Sequence, residues 1–302
     1  MIRRLKALLS CALAMLSLAG PAAAASIDAA DWQAYADAFV EANGRVVDTA
    51  NGRISHSEGQ GYGMLLAFLA DNRGDFERIW SFTRTELLLR DDGLAMWRWD
   101  PASTPRVTDP NNASDGDILI AYALGLAGRA WQRADLTNAG AALATSIGNT
   151  VVVGHGGAPI LLPGLEGYGR DARDDGPVVN LSYWIFEAFP VLRQLAPGTD
   201  WEALSQNGIA LTKRSLGPDR PLPPEWLSVQ TVPRPATPAG IVALVVIVGL
   251  ALPRRPVAAA RDVPGAQQRR WLLLSARLPC SARAPPRAPR RDPERTQSIS
   301  PD

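Results

Sequence analysis

Two short blocks hold the carboxylates best placed to do chemistry. The first is Ala113-Ser114-Asp115-Gly116-Asp117-Ile118-Leu119-Ile120-Ala121, which runs on through Tyr122, Leu124 and Ala127 to Trp131. It sets two acids on either side of Gly116 at the mouth of an apolar helical pattern. Such acids either cap the helix, with Ser114 or Asp115 as N-cap and Asp117 in the first turn, or form a working acid site. The second block is Ser57-Glu58-Gly59-Gln60-Gly61-Tyr62-Gly63-Met64, followed by Leu65, Leu66, Phe68 and Leu69. A lone Glu precedes three glycines, each costing roughly 1 kcal/mol relative to Ala inside a helix. Stability alone does not call for them there; they let a flat ligand or another backbone approach closely.

The elements that must position these blocks are mostly helical by periodicity. Amphipathic patterns cover Asp31–Glu41, Gly74–Leu89, Leu136–Ile147 and Trp201–Lys213. Patterns apolar all round cover Ser57–Ala70 and Asp115–Trp131, and Asn180–Leu195 is apolar but interrupted by Pro190. Val151–Val153 and Ile160–Leu162 read as strands. Buried helices thus begin near Ser57, Asp115 and Asn180, at intervals of about 60 residues, and each is followed by a more polar helix. That alternation suits an inner ring of helices surrounded by an outer one. Taken alone it predicts an all-α array of helical hairpins.

Both acidic blocks resemble those of glycoside hydrolase family 8, close to the endo-β-1,4-glucanases of bacterial cellulose-synthesis operons. Ala113–Trp131 agrees with the family signature at every constrained position, and Ser57–Met64 matches the segment that carries its proton donor. The likeness spans Asp31 to Val229. It implies an (α/α)6 barrel with the cleft across the N-terminal ends of inner helices, near Glu58, Asp115 and Tyr183. It also implies that the enzyme inverts configuration. Breaking a glycosidic bond that way needs a proton for the leaving oxygen and a base that activates water on the opposite face, with carboxyls about 6.5–9.5 Å apart. By resemblance Glu58 is the proton donor, so a second acid such as Asp115 should lie close to it. Asp115 is either the base or the group that grips the distorted sugar, the base then lying in a later Tyr-Asp-Ala-type segment. Tyr183, in Asn180-Leu181-Ser182-Tyr183-Trp184, matches a tyrosine near the reacting sugar. The Met96-Trp97-Arg98-Trp99-Asp100 region matches a sugar platform, and Trp97 and Trp99, two apart, would face one way in an extended loop.

Charge narrows the classes further. Residues 26–229 carry 16 Lys plus Arg against 26 Asp plus Glu, a formal −10, and eight of the nine Trp. An acidic body argues against nucleic acid, whose phosphates need a basic face. Indole faces beside carboxylates suit a sugar cleft, for which the resemblance implies a β-1,4-glucan chain, although about half of the Trp are expected to fill the core. The Gly- and Asp-rich loop from Leu162 to Pro177 either caps the cleft or is a solvated surface loop. The two histidines, His56 and His155, stand alone, so no metal or other cofactor is implied; His56, two residues from Glu58, either tunes the site or makes a local structural hydrogen bond, the second being expected. A polysaccharide lyase on the same barrel would need basic or His/Tyr pairs acting on uronates, which the acidic cleft disfavours. A monomer is expected, with the cellulose-synthesis machinery as a second partner of interest.

The two ends differ from this body. Residues 1–25 read as a secretory signal, with Arg3, Arg4 and Lys6 ahead of an apolar run from Ala7 to Leu18 and a small-residue site at Ala22–Ala25. Export to the periplasm or the medium is expected. The run is too short to span a bilayer, and the box at Leu8–Cys11 comes too early for lipidation. Removal of this segment leaves Cys280 as the single cysteine, so no internal disulfide forms. Residues 230–302 hold 12 of the 25 prolines and 12 Arg against four acids, a formal +8, with no Lys, Asn, Phe or Tyr. This Arg/Pro/Ala-rich composition reads as a disordered or out-of-frame tail and lacks a Tyr-Asp-Ala segment around Asp262, Asp292 or Asp302. Two functions therefore stand side by side: an active endo-β-1,4-glucanase, and an impaired glucan-binding remnant with an incomplete barrel.

Overall fold

The structure is a computed structural model that describes residues 26–218 and 221–229 and the backbone of Arg234–Pro235. The expected signal segment 1–25 lies outside these residues, as does the tail from 230 onward apart from that backbone pair.

Seven α-helices form among the described residues: α1 Ala29–Phe39, α2 Ser57–Leu69, α3 Arg73–Glu86, α4 Ser114–Ala130, α5 Ala134–Thr150, α6 Phe189–Leu195 and α7 Trp201–Ser215. Local chemistry starts most of them. Asp28, Asn72 and Asp200 accept the N–H of Asp31, Asp75 and Ala203 at the heads of α1, α3 and α7, each satisfying a donor that the first turn leaves free. Three-residue links join α2 to α3 and α4 to α5, so each pair is an antiparallel hairpin. Thirteen of the 17 residues of α4 are buried, while α5 buries only Leu136, Gly140, Leu143, Ala144 and Ile147, one stripe at helical spacing. That difference is the inner and outer layering that the alternating polarity predicts.

The early glycines serve this packing. A Cβ on Gly61 would stand 2.5 Å from the Leu119 Cβ, and one on Gly63 would stand 2.7 Å from the Val46 Cγ2. Gly116 is tighter still: a Cβ there would sit 2.6 Å from the Ser57 Cβ and 2.7 Å from the Glu58 backbone nitrogen. Of the two uses open to these glycines, close approach of another chain segment is the one realised, and it presses the N-terminal ends of α2 and α4 together.

The third apolar stretch departs from expectation. Val178–Asn180 is a strand, β5, and Leu181–Tyr183 a 3-10 turn; helix begins only at Phe189. Three local preferences explain the difference. Val178 and Val179 are β-branched and pair antiparallel with Ser228 and Leu227 of β6, Trp226–Ser228. The Asn180 carboxamide oxygen accepts from the Ser182 N–H at 3.0 Å and from its hydroxyl at 2.7 Å, which favours a turn. Pro190 has no N–H to give to a helical turn before it, so it stands in the first turn of α6. β6 pairs in turn with β7, Arg234–Pro235. The two strands expected at Val151–Val153 and Ile160–Leu162 are present as β3, Val152–His155, and β4, Ala158–Leu161, and pair as an antiparallel hairpin. A further pair joins β1, Ser55–His56, to β2, Arg98–Trp99.

One continuous core links the hairpins, with Met64, Phe76, Ile79, Ile118, Leu124, Trp184 and Trp201 among its members. Four of the eight body tryptophans, Trp32, Trp80, Trp184 and Trp201, are buried in it.

Candidate active site

The cleft forms where α2 and α4 begin. His56 is the N-cap of α2: its Nδ1 accepts the Gly59 N–H at 3.0 Å. This is the local structural hydrogen bond expected of that histidine. Glu58 follows in the first turn. The β1–β2 pair holds this corner to the Trp97 segment, since His56 lies opposite Arg98 and the Ser57 N–H donates to the Trp97 carbonyl at 3.0 Å. The Trp97 N–H donates in turn to the Asn111 carbonyl at 2.9 Å.

α4 brings the second acid. Its N-cap position is Ala113, with no side-chain cap, so neither Ser114 nor Asp115 caps it. Asp115 is buried, 5% exposed, and its Oδ1 accepts the neighbouring Gly116 N–H at 2.8 Å. Burial pushes its carboxyl well above the usual range, and the charge of Glu58 pushes it further. Asp117 does different work. Its Oδ1 accepts the Ala95 N–H at 2.7 Å and its Oδ2 the Asn112 side-chain amide at 2.8 Å. The Asn112 carboxamide oxygen then accepts the Leu165 N–H at 2.7 Å. One buried carboxyl thereby ties α4 to three loops, at the expense of a pKa raised by burial to about 7.

Glu58, Asp115, Trp97 and Tyr183 all line this cleft. Trp99 does not. Its indole N–H donates to Glu86 at 2.9 Å, its ring meets Phe82 edge-on at 5.5 Å, and Arg45 and Arg106 lie 5.1 and 5.3 Å from its ring. Those partners occupy the surface that a sugar platform would offer.

Other lining residues had no separate place in the reading of the sequence: Asp109, Asn111, Asn112, Pro163 and Tyr168. The Leu162–Pro177 loop reaches the cleft through the last two. It is held there by the Ser114 N–H donating to the Pro163 carbonyl at 2.8 Å. Tyr168 stacks on Trp226 with centroids 5.7 Å apart and planes 1° apart, and Trp226 meets Tyr183 edge-on at 6.3 Å. Burial, then Asp109 and Asp115, push the Tyr168 phenol up to about 12, so it stays a neutral donor. No group of His, Cys, Asp and Glu among the described residues is arranged to hold a metal.

Two acids from the heads of two inner helices, in a cleft flanked by Trp and Tyr, is an arrangement that sequence comparison can test. The chain matches Glycosyl hydrolases family 8 over residues 5–239. It belongs to that family. A probable endoglucanase of Novacetimonas hansenii is 37% identical over 201 residues, covering 67% of this chain and 58% of that protein. An endoglucanase of Cellulomonas uda is 36% identical over 199 residues, covering 66% of this chain and 55% of that protein. The solved structure of endo-beta-1,4-glucanase CMCax from Acetobacter xylinum superposes with a TM-score of 0.64 at 36% identity, covering 69% of this chain and 65% of that one. The chain thus spans less than two thirds of the length of these family 8 relatives, and the barrel it shares with them is represented by the helices described above.

Proposed function

We propose that this family 8 chain carries the acid side of an endo-β-1,4-glucanase that hydrolyses internal bonds of a cellulose-like glucan with inversion. The observation that carries the reading is the convergence of Glu58 and Asp115 in one aromatic-walled cleft. The chain's likeness to a probable endoglucanase and an endo-beta-1,4-glucanase supports the substrate class. Glu58 gives its proton to the leaving oxygen as the glycosidic bond breaks, and a water on the opposite face of the ring adds to the anomeric carbon while a base carboxylate takes its proton. Burial and the neighbouring Glu58 raise the Asp115 carboxyl, and it either serves as that base or grips the reacting sugar through a hydroxyl. Trp97 offers the ring face, and Tyr183 stands beside the sugar. The basic, apolar and small-residue pattern of residues 1–25 supports export of the enzyme.

With Glu58 as acid and Asp115 on the sugar, Asp109 is the remaining carboxyl among the described lining residues, and its Oδ1 already accepts the Asn111 N–H at 3.1 Å. That arrangement favours a second reading, glucan binding without turnover. Reducing-sugar release from carboxymethyl-cellulose by the full chain and by Glu58→Gln separates the readings. General acid catalysis contributes about 10²–10⁴-fold, so the variant should fall by that much. A Glu58→Gln rate equal to wild type removes Glu58 from the mechanism. Calorimetric binding of a cello-oligosaccharide by a wild-type chain that releases no sugar establishes the second reading.

A further inference from the structure

The residue ahead of the Glu58 block is a histidine doing an uncommon job. N-caps are ordinarily Ser, Thr, Asp or Asn. Here the cap of α2 is the Nδ1 of His56, which accepts the Gly59 N–H at 3.0 Å. An imidazole nitrogen accepts only when it carries no proton. The cap therefore requires the tautomer with its proton on Nε2. On that side Asp48 Oδ2 lies 3.4 Å from Nε2. This distance is longer than an ordinary hydrogen bond, yet the oxygen is buried and has no other partner. Both side chains are 13% exposed. The other Asp48 oxygen accepts the Ala50 N–H at 3.0 Å, which anchors the carboxylate. The hydrogen bond from His56 outweighs burial and, with the Ala50 N–H, holds the Asp48 carboxyl below its usual range, so it faces the ring as an anion.

His56 also lines the cleft, two residues before Glu58. We propose that Asp48 and His56 form a positioning pair for Glu58: Asp48 selects the Nε2–H tautomer, and His56 Nδ1 then fixes the first turn of α2 from which Glu58 projects. This inference rests on Glu58 being the acid. His56 touches no reacting atom and is a positioning residue. The chain on either side fits the role. Ser55 and His56 are held by β2, and Ser57 is held by the Trp97 carbonyl, so the imidazole is the one side-chain bond that sets where the helix begins.

The test uses the full chain and four variants: His56→Ala, His56→Asn, Asp48→Asn and Glu58→Gln. Imidazole nitrogen NMR at neutral pH should show His56 with Nδ1 unprotonated, and Asp48→Asn should shift that tautomer balance. The carboxyl carbon signal of Glu58 should move in His56→Ala and return in His56→Asn, because the Asn carboxamide oxygen can accept the same N–H. Where turnover is measurable, His56→Ala should lower kcat by about tenfold with little change in KM, and His56→Asn should recover most of it. A proton on Nδ1, or a Glu58 carboxyl signal unmoved by His56→Ala, overturns the pair regardless of activity. Wild-type kcat in His56→Ala while Glu58→Gln is inactive overturns the inference alone. Full activity in Glu58→Gln overturns the assignment of Glu58 and the inference with it.

Discussion

Gly116→Ala is the most direct probe of how the cleft is built. A Cβ at this position would stand 2.1 Å from the Ser57 Oγ, 2.6 Å from the Ser57 Cβ and 2.7 Å from the Glu58 backbone nitrogen. The hydroxyl can rotate away, but the other two atoms belong to the start of α2, so the helix end itself must shift. Overpacking of this kind costs about 1–3 kcal/mol, and contact with backbone puts it near the upper limit. Ala returns up to about 1 kcal/mol of helix propensity. The net is about 2 kcal/mol of lost stability. At about 2–4 °C per kcal/mol for a domain of this size, the melting temperature should fall by roughly 4–8 °C. Gly74→Ala in α3 is the control: its nearest neighbour would be the Asn72 Oδ1 at 3.8 Å, an ordinary contact. It should melt at or slightly above wild type. Displacement of Glu58 by even about 1 Å should also cost on the order of 10²-fold in any hydrolysis rate. Both variants are compared by thermal unfolding and by sugar release. A Gly116→Ala protein that melts with Gly74→Ala and turns over as wild type would refute the reasoning that Gly116 exists to let the two helix ends meet.

Asp115→Asn should lose hydrolysis while melting close to wild type, because Asp115 makes no cap bond and burial already penalises its charge; a melting-temperature loss with the rate retained would return it to a structural role. Stability should fall as pH rises from about 4 to about 7, because Asp117 has its pKa raised from 3.8 to about 7 and the folded state holds a proton that the unfolded state has released. At about 1.4 kcal/mol per pH unit this amounts to roughly 4 kcal/mol, which urea titrations across that range can check against Asp117→Asn, where the slope should flatten. Trp97→Ala should weaken binding of a cello-oligosaccharide by about two- to tenfold, the loss of one aromatic contact, with little change in stability. Trp99→Ala should do the reverse, costing roughly 2 kcal/mol of stability through its Phe82 and Glu86 contacts; calorimetry and unfolding together distinguish the two.

Much of the architecture was legible along the chain. Periodicity located α2, α4 and their polar partners to within a few residues, because a buried helix must be apolar on every side and an outer one on a single stripe. The acids stood out by type and by neighbouring glycines, and the two motifs alone point to the family that the chain belongs to. What the sequence could not decide was where short-range and long-range demands compete. Val178–Tyr183 is apolar enough for a buried helix, yet pairing with Trp226–Ser228, some 50 residues away, makes it a strand and a turn. Trp97 and Trp99 are alike in type and spacing. Only the three-dimensional setting puts the first in the cleft and covers the second with Arg45, Arg106, Phe82 and Glu86. Asp115 and Asp117 are equally alike on paper. One faces Glu58 across the helix ends and the other faces inward to three loops, since neighbours two apart on a helix point in different directions. The glycines, too, take their meaning from what lies opposite. A missing Cβ is a local fact, but whether a ligand or a second helix fills the space is settled by packing, and here it is Ser57 and Glu58 against Gly116, and Leu119 against Gly61.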